Sequence, residues 1–216
     1  MTSKVLEKLK ILVDKKVETL SKKPNFRKDP IGGKYAWSTS VISSAYKRHG
    51  AILEEAIVER LKEANHLDVI IEDNFCVSDK ANTYAIQSGK DFTDMQGVNY
   101  NYKIKDAKRT LQVDAIVYNK KNKIVSSYEI KRANGNFDAG KTRSIRLDIL
   151  CTNSLLKDYY RKKKGINANA AYSYIICYYG LRALPKPFSL IADELDEHFG
   201  FEVCNEVEKV NNYFKK

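Results

Sequence analysis

Two β-prone segments joined by a polar turn constrain the fold of this chain more than any other feature. The segments TLQVDAIVYN (110–119) and KIVSSYEIKRA (123–133) are rich in β-branched and aromatic residues, and the polar run NKKNK (119–123) connects them. This pattern predicts an antiparallel β-hairpin. A turn centred near residue 121 places Asp114 opposite Tyr128 or Glu129, so two carboxylates become neighbours.

The second strand of this hairpin adds a lysine to the two acids. Because strand side chains alternate, Glu129 and Lys131 point to one face while Ile130 points into the core. Neighbouring carboxylates repel each other unless a cation lies between them, and their oxygens suit Mg²⁺, which also binds water and phosphate oxygens. A lysine beside such a metal can orient or deprotonate a water molecule, or offset charge on a phosphate. The pattern therefore predicts Asp114, Glu129 and Lys131 as catalytic residues for phosphodiester hydrolysis, with both acids as ligands of Mg²⁺.

The alternative interpretation is an ordinary solvated strand face. An acid two residues before a lysine occurs three times, at Asp14-Lys16, Asp106-Lys108 and Glu129-Lys131, so the tripeptide alone carries little information. Only the third case follows a strand with an acid at hairpin distance, and only there do apolar residues flank both acids. This context favours the catalytic interpretation.

The rest of the chain alternates helical and strand patterns. Apolar residues at a helical period predict helices over 3–21, about 43–65 and 138–161, with amphipathic pieces around 189–199 and 202–214. Strands are predicted near 68–77 and within 170–180, the second buried on both faces. Prolines and glycines predict a break at 24–33, RKKKGINAN (161–169) is predicted as a loop, and 78–97 fits no pattern.

Length and composition fit one globular domain over residues 1–216. The 43% hydrophobic and 30% charged residues exclude a disordered or fibrous protein. No apolar run approaches the roughly 20 residues of a membrane helix, and the N-terminal segment lacks a signal-peptide core, so we expect a cytoplasmic protein with no membrane partner. The four scattered cysteines form no CxxC pair and are expected to be reduced. The chain has no Walker loop, which excludes a nucleotide-driven motor.

The positive charge of the chain is concentrated in one segment. The formal net charge is +11, and residues 101–164 carry 17 Lys and Arg against 6 Asp and Glu, which equals the whole excess. A local excess of this kind predicts contact with a polyanion along one surface. A further basic run, RKKK, lies at 161–164, and the strongest candidates to contact phosphates are Arg132, Lys141, Arg143 and Arg146.

The hairpin residues resemble the core motif of the PD-(D/E)XK nucleases. Asp114 corresponds to the first acid of the motif, and Glu129-Ile130-Lys131 corresponds to its second part. Val113 stands where the motif name has proline, a departure that leaves the acid in place.

The same resemblance implies a third acid. In many members a helix ahead of the hairpin supplies an acid four residues after a glycine, and Gly50-Ala-Ile-Leu-Glu54 has this spacing. Glu54 is therefore expected as a further metal ligand, with Glu55 and Glu59 as rivals on the same helix.

The resemblance spans about 44–180 and implies an α/β fold with a restriction-endonuclease-like αβββαβ core, in which helices flank a mixed central sheet. For a compact single domain it implies a type II restriction endonuclease that cuts double-stranded DNA with Mg²⁺, and cutting both strands implies a homodimer. The extensions 1–43 and 181–216 are candidates for dimerisation or DNA recognition. The alternatives are a repair or recombination nuclease of the same fold, such as a Holliday junction resolvase or an Mrr-like enzyme, and a non-catalytic DNA-binding module.

Overall fold

The computed structural model describes residues 1–21, 36–88 and 98–215. These residues form a five-stranded sheet whose strands lie side by side in chain order. The strands are β1 (Leu67–Ser78), β2 (Ala107–Asn119), β3 (Ile124–Lys131), β4 (Ala170–Cys177) and β5 (Ser189–Leu190). The pairs β1–β2 and β2–β3 are antiparallel, whereas β3–β4 and β4–β5 are parallel. The prediction of an α/β fold with a mixed sheet is confirmed.

Helices cover both faces of the sheet. They are α1 (Ser3–Ser21), α2 (Ala36–Lys62), α3 (Asp79–Gln87), α4 (Ala139–Lys164), α5 (Leu195–Phe199) and α6 (Cys204–Phe214). One apolar cluster joins α3 and α4 to the sheet, and a second cluster joins α1, α2, α5 and α6 to the opposite face. α4 is the crossover that parallel pairing of β3 with β4 requires.

The hairpin has the predicted position and register. β2 and β3 pair from the turn up to Ala115, which lies opposite Tyr128. In the turn, Asn119 Oδ1 accepts a hydrogen bond from the Lys121 amide at 2.9 Å. Asparagine side chains stabilise turns in this way, so local sequence is sufficient to set the register.

Helix α4 is longer than its sequence pattern predicts. It begins after Asp138, whose carboxylate accepts a hydrogen bond from the Lys141 amide at 2.8 Å. The prediction of a loop over 161–169 is wrong for 161–164, because these residues continue the helix until Gly165 adopts a left-handed φ of 71°. Basic residues stabilise the C-terminal turn of a helix through the macrodipole, which favours this extension.

Other predicted boundaries shift by several residues. The helix predicted over 3–21 and the strand near 68–77 are confirmed, whereas α2 begins at Ala36 instead of 43. β4 is fully buried only toward its C-terminal end, so the prediction of burial on both faces is wrong for its first half. The segment 78–97 contains α3, which Ser78 caps through a 3.3 Å hydrogen bond from the Ala81 amide. The predicted break at 24–33 lies outside the described residues.

Helices α1 and α6, which belong to the two predicted extensions, pack on the α2 side of the sheet. Leu9 and Val13 of α1 and Val207 and Val210 of α6 are buried in the cluster around α2. Each buried aliphatic side chain contributes roughly 1.5–3 kcal/mol, so the described parts of both extensions stabilise the core.

Cysteines and helix hydropathy bear on the remaining predictions. All four cysteines are free, and Cys76, Cys151 and Cys177 are buried. Within the described ranges, no helix combines the length and the apolarity that crossing a bilayer requires.

Candidate active site

The hairpin brings Asp114, Glu129 and Lys131 together at one end of β2 and β3. The ladder between the two strands stops at Ala115, and Asp114 is the next residue of β2 beyond it. Asp114 Oδ2 accepts a hydrogen bond from the Ile130 amide at 2.7 Å. This bond holds the Asp114 carboxylate at the end of the ladder, beside the alternating side chains of β3.

Lys131 links the two acids. Its Nζ lies 2.5 Å from Glu129 Oε1 and 3.6 Å from Asp114 Oδ2. Asp114 is only 4% exposed, whereas the side chains of Glu129 and Lys131 are each 31% exposed. Ile130 is buried in the cluster on the α2 side, so the predicted alternation along β3 is confirmed. The three residues form a half-open cluster that solvent can reach.

Helix α2 adds Glu54 to this cluster. The pKa of Glu54 is raised to about 7, first by burial and then by the negative charge of Asp114, against the opposing charge of Lys131. The charge of Glu129 contributes in the same direction as that of Asp114. Coulombic shifts of this kind arise over short distances, so Glu54 faces the same site. We refer to Asp114, Glu129, Lys131 and Glu54 as the acidic cluster.

The two rival acids of α2 lie elsewhere. Glu55 and Glu59 both contact Lys8 of α1, whose Nζ lies 3.6 Å from Glu55 and 3.0 Å from Glu59. Glu59 also pairs with Lys62 at 2.8 Å. The structure therefore favours Glu54 over its neighbours as the additional acid.

The acidic cluster is short of positive charge. Burial raises the pKa of Glu129, Lys131 lowers it and Asp114 raises it again, with a net rise. Burial alone would lower the pKa of Lys131, but the charges of Glu129 and Asp114 outweigh burial and raise it. Lys131 thus remains protonated, which favours a role in offsetting charge over a role in taking a proton from water.

The acidic cluster fits a hard divalent cation in its chemistry but not in its present geometry. Carboxylates are the ligands that Mg²⁺ prefers, with water and phosphate oxygens completing its coordination. Among the described residues, however, no three acidic, histidine or cysteine side chains are arranged to hold a metal ion. The Lys131 ammonium contacts both Asp114 and Glu129, so a metal would compete with it for one oxygen of each carboxylate.

Two polar residues that the sequence did not single out, Gln112 and Asp148, line a cavity of about 210 Å³ beside Glu129. Asp148 lies on α4, pairs with Arg109 at 2.8 Å, and adds to the rise in the pKa of Glu129. Gln112 precedes Asp114 by two residues, which is the strand period for one face. That period could have identified Gln112 from the sequence.

The basic residues proposed to contact phosphates lie in different surroundings. Lys141 and Arg143 are exposed on α4, whereas Arg146 is half-buried and its Nη1 has no hydrogen-bond partner among the described residues. None of these three residues forms an ion pair within the part of the chain that the structure describes. The guanidinium of Arg132 instead stacks on an aromatic ring, 4.1 Å from the centroid of Tyr46.

The basic run at the other end of α4 is paired with acids. Its four members pair with three carboxylates: Arg161 and Lys162 with Asp158, Lys163 with Glu72, and Lys164 with Asp68. Of the two basic groups on α4, only the N-terminal group lacks acidic partners among the described residues. The free positive charge of α4 therefore lies at the end that follows β3.

Comparisons with protein-family models, with curated proteins and with solved structures found no match for this chain. A functional proposal for this chain therefore rests on the acidic cluster and on the cations of α4.

Glu54→Gln should make the free energy of unfolding less dependent on pH. A carboxyl whose folded pKa is raised from 4.5 to about 7 stabilises the folded state below the unfolded value, and this contribution is lost as the pH rises through 7. Between about pH 5 and 8 the wild type should lose roughly 1–2 kcal/mol at this site after solvent screening, because one pKa unit corresponds to about 1.4 kcal/mol. Glutamine stays neutral, so the variant should not show this loss.

Urea denaturation without added metal, at both ends of this pH range, measures the effect. Glu55→Gln on the same helix is the matched control, because Glu55 pairs with Lys8 at the surface. Equal pH dependence in the wild type and Glu54→Gln would place Glu54 outside the acidic cluster.

Proposed function

We propose that this protein is a Mg²⁺-dependent endonuclease that hydrolyses phosphodiester bonds of double-stranded DNA as a type II restriction enzyme. The observation that carries this proposal is the contact of Lys131 with both Asp114 and Glu129 at the open end of the hairpin. A third acid, Glu54, acts on the same site from α2. Cutting both strands requires two such sites, so the proposed active form is a homodimer with two-fold symmetry.

The order of the elements supports a restriction-endonuclease-like core over about 44–180. The order α2, β1, β2, β3, α4, β4 is that of an αβββαβ core, with α3 as an addition between β1 and β2. The sheet is antiparallel on the hairpin side and parallel beyond it. This arrangement agrees with the resemblance of the hairpin residues to the PD-(D/E)XK nucleases.

Each member of the acidic cluster has a separate role in the proposed reaction. Asp114, Glu129 and Glu54 would hold Mg²⁺, which when bound supplies Lewis acidity toward the phosphate and lowers the pKa of a coordinated water. Asp114 is buried and anchored by the Ile130 amide, whereas Glu129 is partly exposed and pairs with Lys131. The protonated Lys131 would stabilise the negative charge that develops on the phosphate.

The unpaired cations of α4 support DNA as the substrate. Lys141, Arg143 and Arg146 lie in the helix that follows β3 in the chain. Cations without acidic partners are free to neutralise phosphates and release counterions. Ile145 and Asp148 of the same helix line the cavity beside Glu129, so the start of α4 lies close to the acidic cluster.

Replacing Lys141, Arg143 and Arg146 with alanine should weaken DNA binding and reduce its salt dependence. Each lost phosphate contact lowers the slope of log K against log salt by about 0.9, so the triple variant should lose up to about 2.7. Alanine at Lys162, Lys163 and Lys164 is the matched control, because these lysines are paired with acids of the same chain.

Fluorescence anisotropy of a labelled duplex, titrated at about 50–200 mM salt without metal, measures the slopes. We expect the control triple variant to keep the wild-type slope. Equal slopes in the two triple variants would place the DNA path away from the start of α4.

Digestion of plasmid DNA with Mg²⁺ tests the proposed function directly. Discrete bands that disappear when the metal is chelated are the expected result. Cleavage only of four-way junctions or of methylated DNA would instead assign a repair or recombination nuclease. Binding of DNA without cleavage of any substrate would leave a non-catalytic DNA-binding module.

A further inference from the structure

A cavity of about 540 Å³ lies between the first turns of α4 and the segment that follows β4. Ala183, Leu184 and Pro185 give it an apolar lining, and α4 contributes Arg143 and Arg146. Cavities that bind small molecules measure about 300–1,000 Å³ and combine apolar walls with a few placed polar groups. This cavity has the size and the lining of a binding site.

The two arginines of the cavity have no acidic partner in the part of the chain that the structure describes. Neither forms an ion pair among residues 1–21, 36–88 and 98–215, and Arg146 Nη1 is buried without a hydrogen-bond partner. By contrast, Arg182, which directly precedes the 183–185 wall in the chain, pairs with Glu194 at 2.6 Å. Buried donors without partners are rare in native proteins, so the guanidinium of Arg146 is poised for an acceptor that comes from outside the chain.

The cavity lies at the same end of the sheet as the acidic cluster. Lys131 and Cys177 are register partners at the ends of β3 and β4. Cys177 Sγ accepts a hydrogen bond from the Ala183 amide at 3.4 Å, which holds the apolar wall close to these strand ends. A ligand in the cavity would therefore lie near the acids that are proposed to act on DNA.

The lining suits a ligand that joins an anion to an apolar group, because two arginines lie beside the apolar residues 183–185. Arginine binds phosphate oxygens through paired hydrogen bonds, and a base extruded from a duplex is held by apolar packing. The bases of an intact duplex remain stacked inside the helix and cannot enter a cavity of this kind. We propose that the cavity binds one nucleotide turned out of the DNA, with its phosphate on Arg143 and Arg146 and its base against the 183–185 wall. This inference rests on the proposed action on DNA.

Binding of 5′-dAMP to the full chain without Mg²⁺ tests the cavity. Isothermal titration calorimetry should give an affinity at least about tenfold higher for 5′-dAMP than for deoxyadenosine or inorganic phosphate, because only the nucleotide uses both parts of the lining. Equal affinity for 5′-dAMP and inorganic phosphate, or no saturable binding of 5′-dAMP, would overturn the proposal.

Two variants test the position of the nucleotide. Arg143→Gln/Arg146→Gln removes the proposed phosphate contacts, and Thr142→Trp fills the cavity without changing its charge. Both should lower the affinity for 5′-dAMP by about tenfold or more. Arg161→Gln is the control on the same helix, since Arg161 is paired with Asp158, and it should bind like the wild type. Thermal denaturation identifies any variant that does not fold, and wild-type affinity in folded Thr142→Trp would refute the site.

Plasmid cleavage separates this inference from the proposed function. Wild-type cleavage by Thr142→Trp would overturn the role of the cavity while leaving the nuclease intact. Tight binding of 5′-dAMP that Thr142→Trp abolishes, in a protein that cuts no DNA, would retain the nucleotide site and refute the nuclease.

Discussion

Asp114→Asn should lower the rate of Mg²⁺-dependent DNA cleavage by roughly 10²–10³-fold or more, while the affinity for DNA stays close to that of the wild type. The substitution removes one charged ligand from the acidic cluster, but the asparagine oxygen can still accept the hydrogen bond from the Ile130 amide. The fold should therefore persist while the metal loses a buried carboxylate. Single-turnover cleavage and anisotropy titrations measure the two effects separately.

Asp106→Asn is the matched control for this variant. Asp106 also precedes a lysine by two residues, but its side chain is 49% exposed and pairs only loosely with Lys103, at 3.8 Å. We expect Asp106→Asn to cut DNA at the wild-type rate and Glu129→Gln to be as inactive as Asp114→Asn. Normal cleavage by Asp114→Asn would show that the end of the hairpin takes no part in the reaction.

Lys131→Met should lower cleavage by roughly 10²–10³-fold without weakening the binding of Mg²⁺, because the charge that develops on the phosphate loses its cation. The ammonium lies 2.5 Å from Glu129 and 3.6 Å from Asp114, where it competes with a metal for the same oxygens. Methionine keeps an unbranched stem of similar length but no charge, so both carboxylates become free for the metal. We therefore expect an inactive protein whose affinity for Mg²⁺ is equal to or higher than that of the wild type.

Metal titrations by calorimetry distinguish the lysine from the acids, since Asp114→Asn and Glu129→Gln should both weaken the binding of Mg²⁺. Lys108→Met is the control, because Lys108 pairs with Asp79 at 2.6 Å in a different part of the surface. Weaker metal binding by Lys131→Met would show that the ammonium does not compete with the metal. Full cleavage by this variant would exclude Lys131 from the reaction.

The sequence predicts the hairpin well because its determinants are local. The asparagine at 119 closes the turn, and strand alternation then fixes the faces of Glu129 and Lys131. The additional acid of α2 cannot be predicted in this way, because spacing alone does not distinguish Glu54 from Glu55 and Glu59. That choice depends on Lys8 of α1, which is far away in the chain.

Long-range contacts also explain two features that the sequence does not predict, the extended end of α4 and the position of Asp148. The run 161–164 looks like a basic loop, but Glu72 and Asp68 of β1 pair with its last two lysines and favour a longer helix. The sequence does not identify Asp148 as a site residue, because its proximity to Glu129 depends on how α4 packs on the sheet. Neither contact can be read from the periodicity of a single segment.

The charges at the two ends of α4 have opposite effects on the stability of the helix. Four basic residues in the last turn favour the helix dipole, whereas Lys141 lies in the first turn, which contains no acid, and opposes it. A cation at that end costs roughly 0.3–1 kcal/mol of stability in the free protein. The Asp138 carboxylate that caps this end offsets part of the cost, and a bound phosphate would offset it further. Selection for heat resistance alone would be expected to erase these positive charges, whereas selection for DNA binding would be expected to retain them.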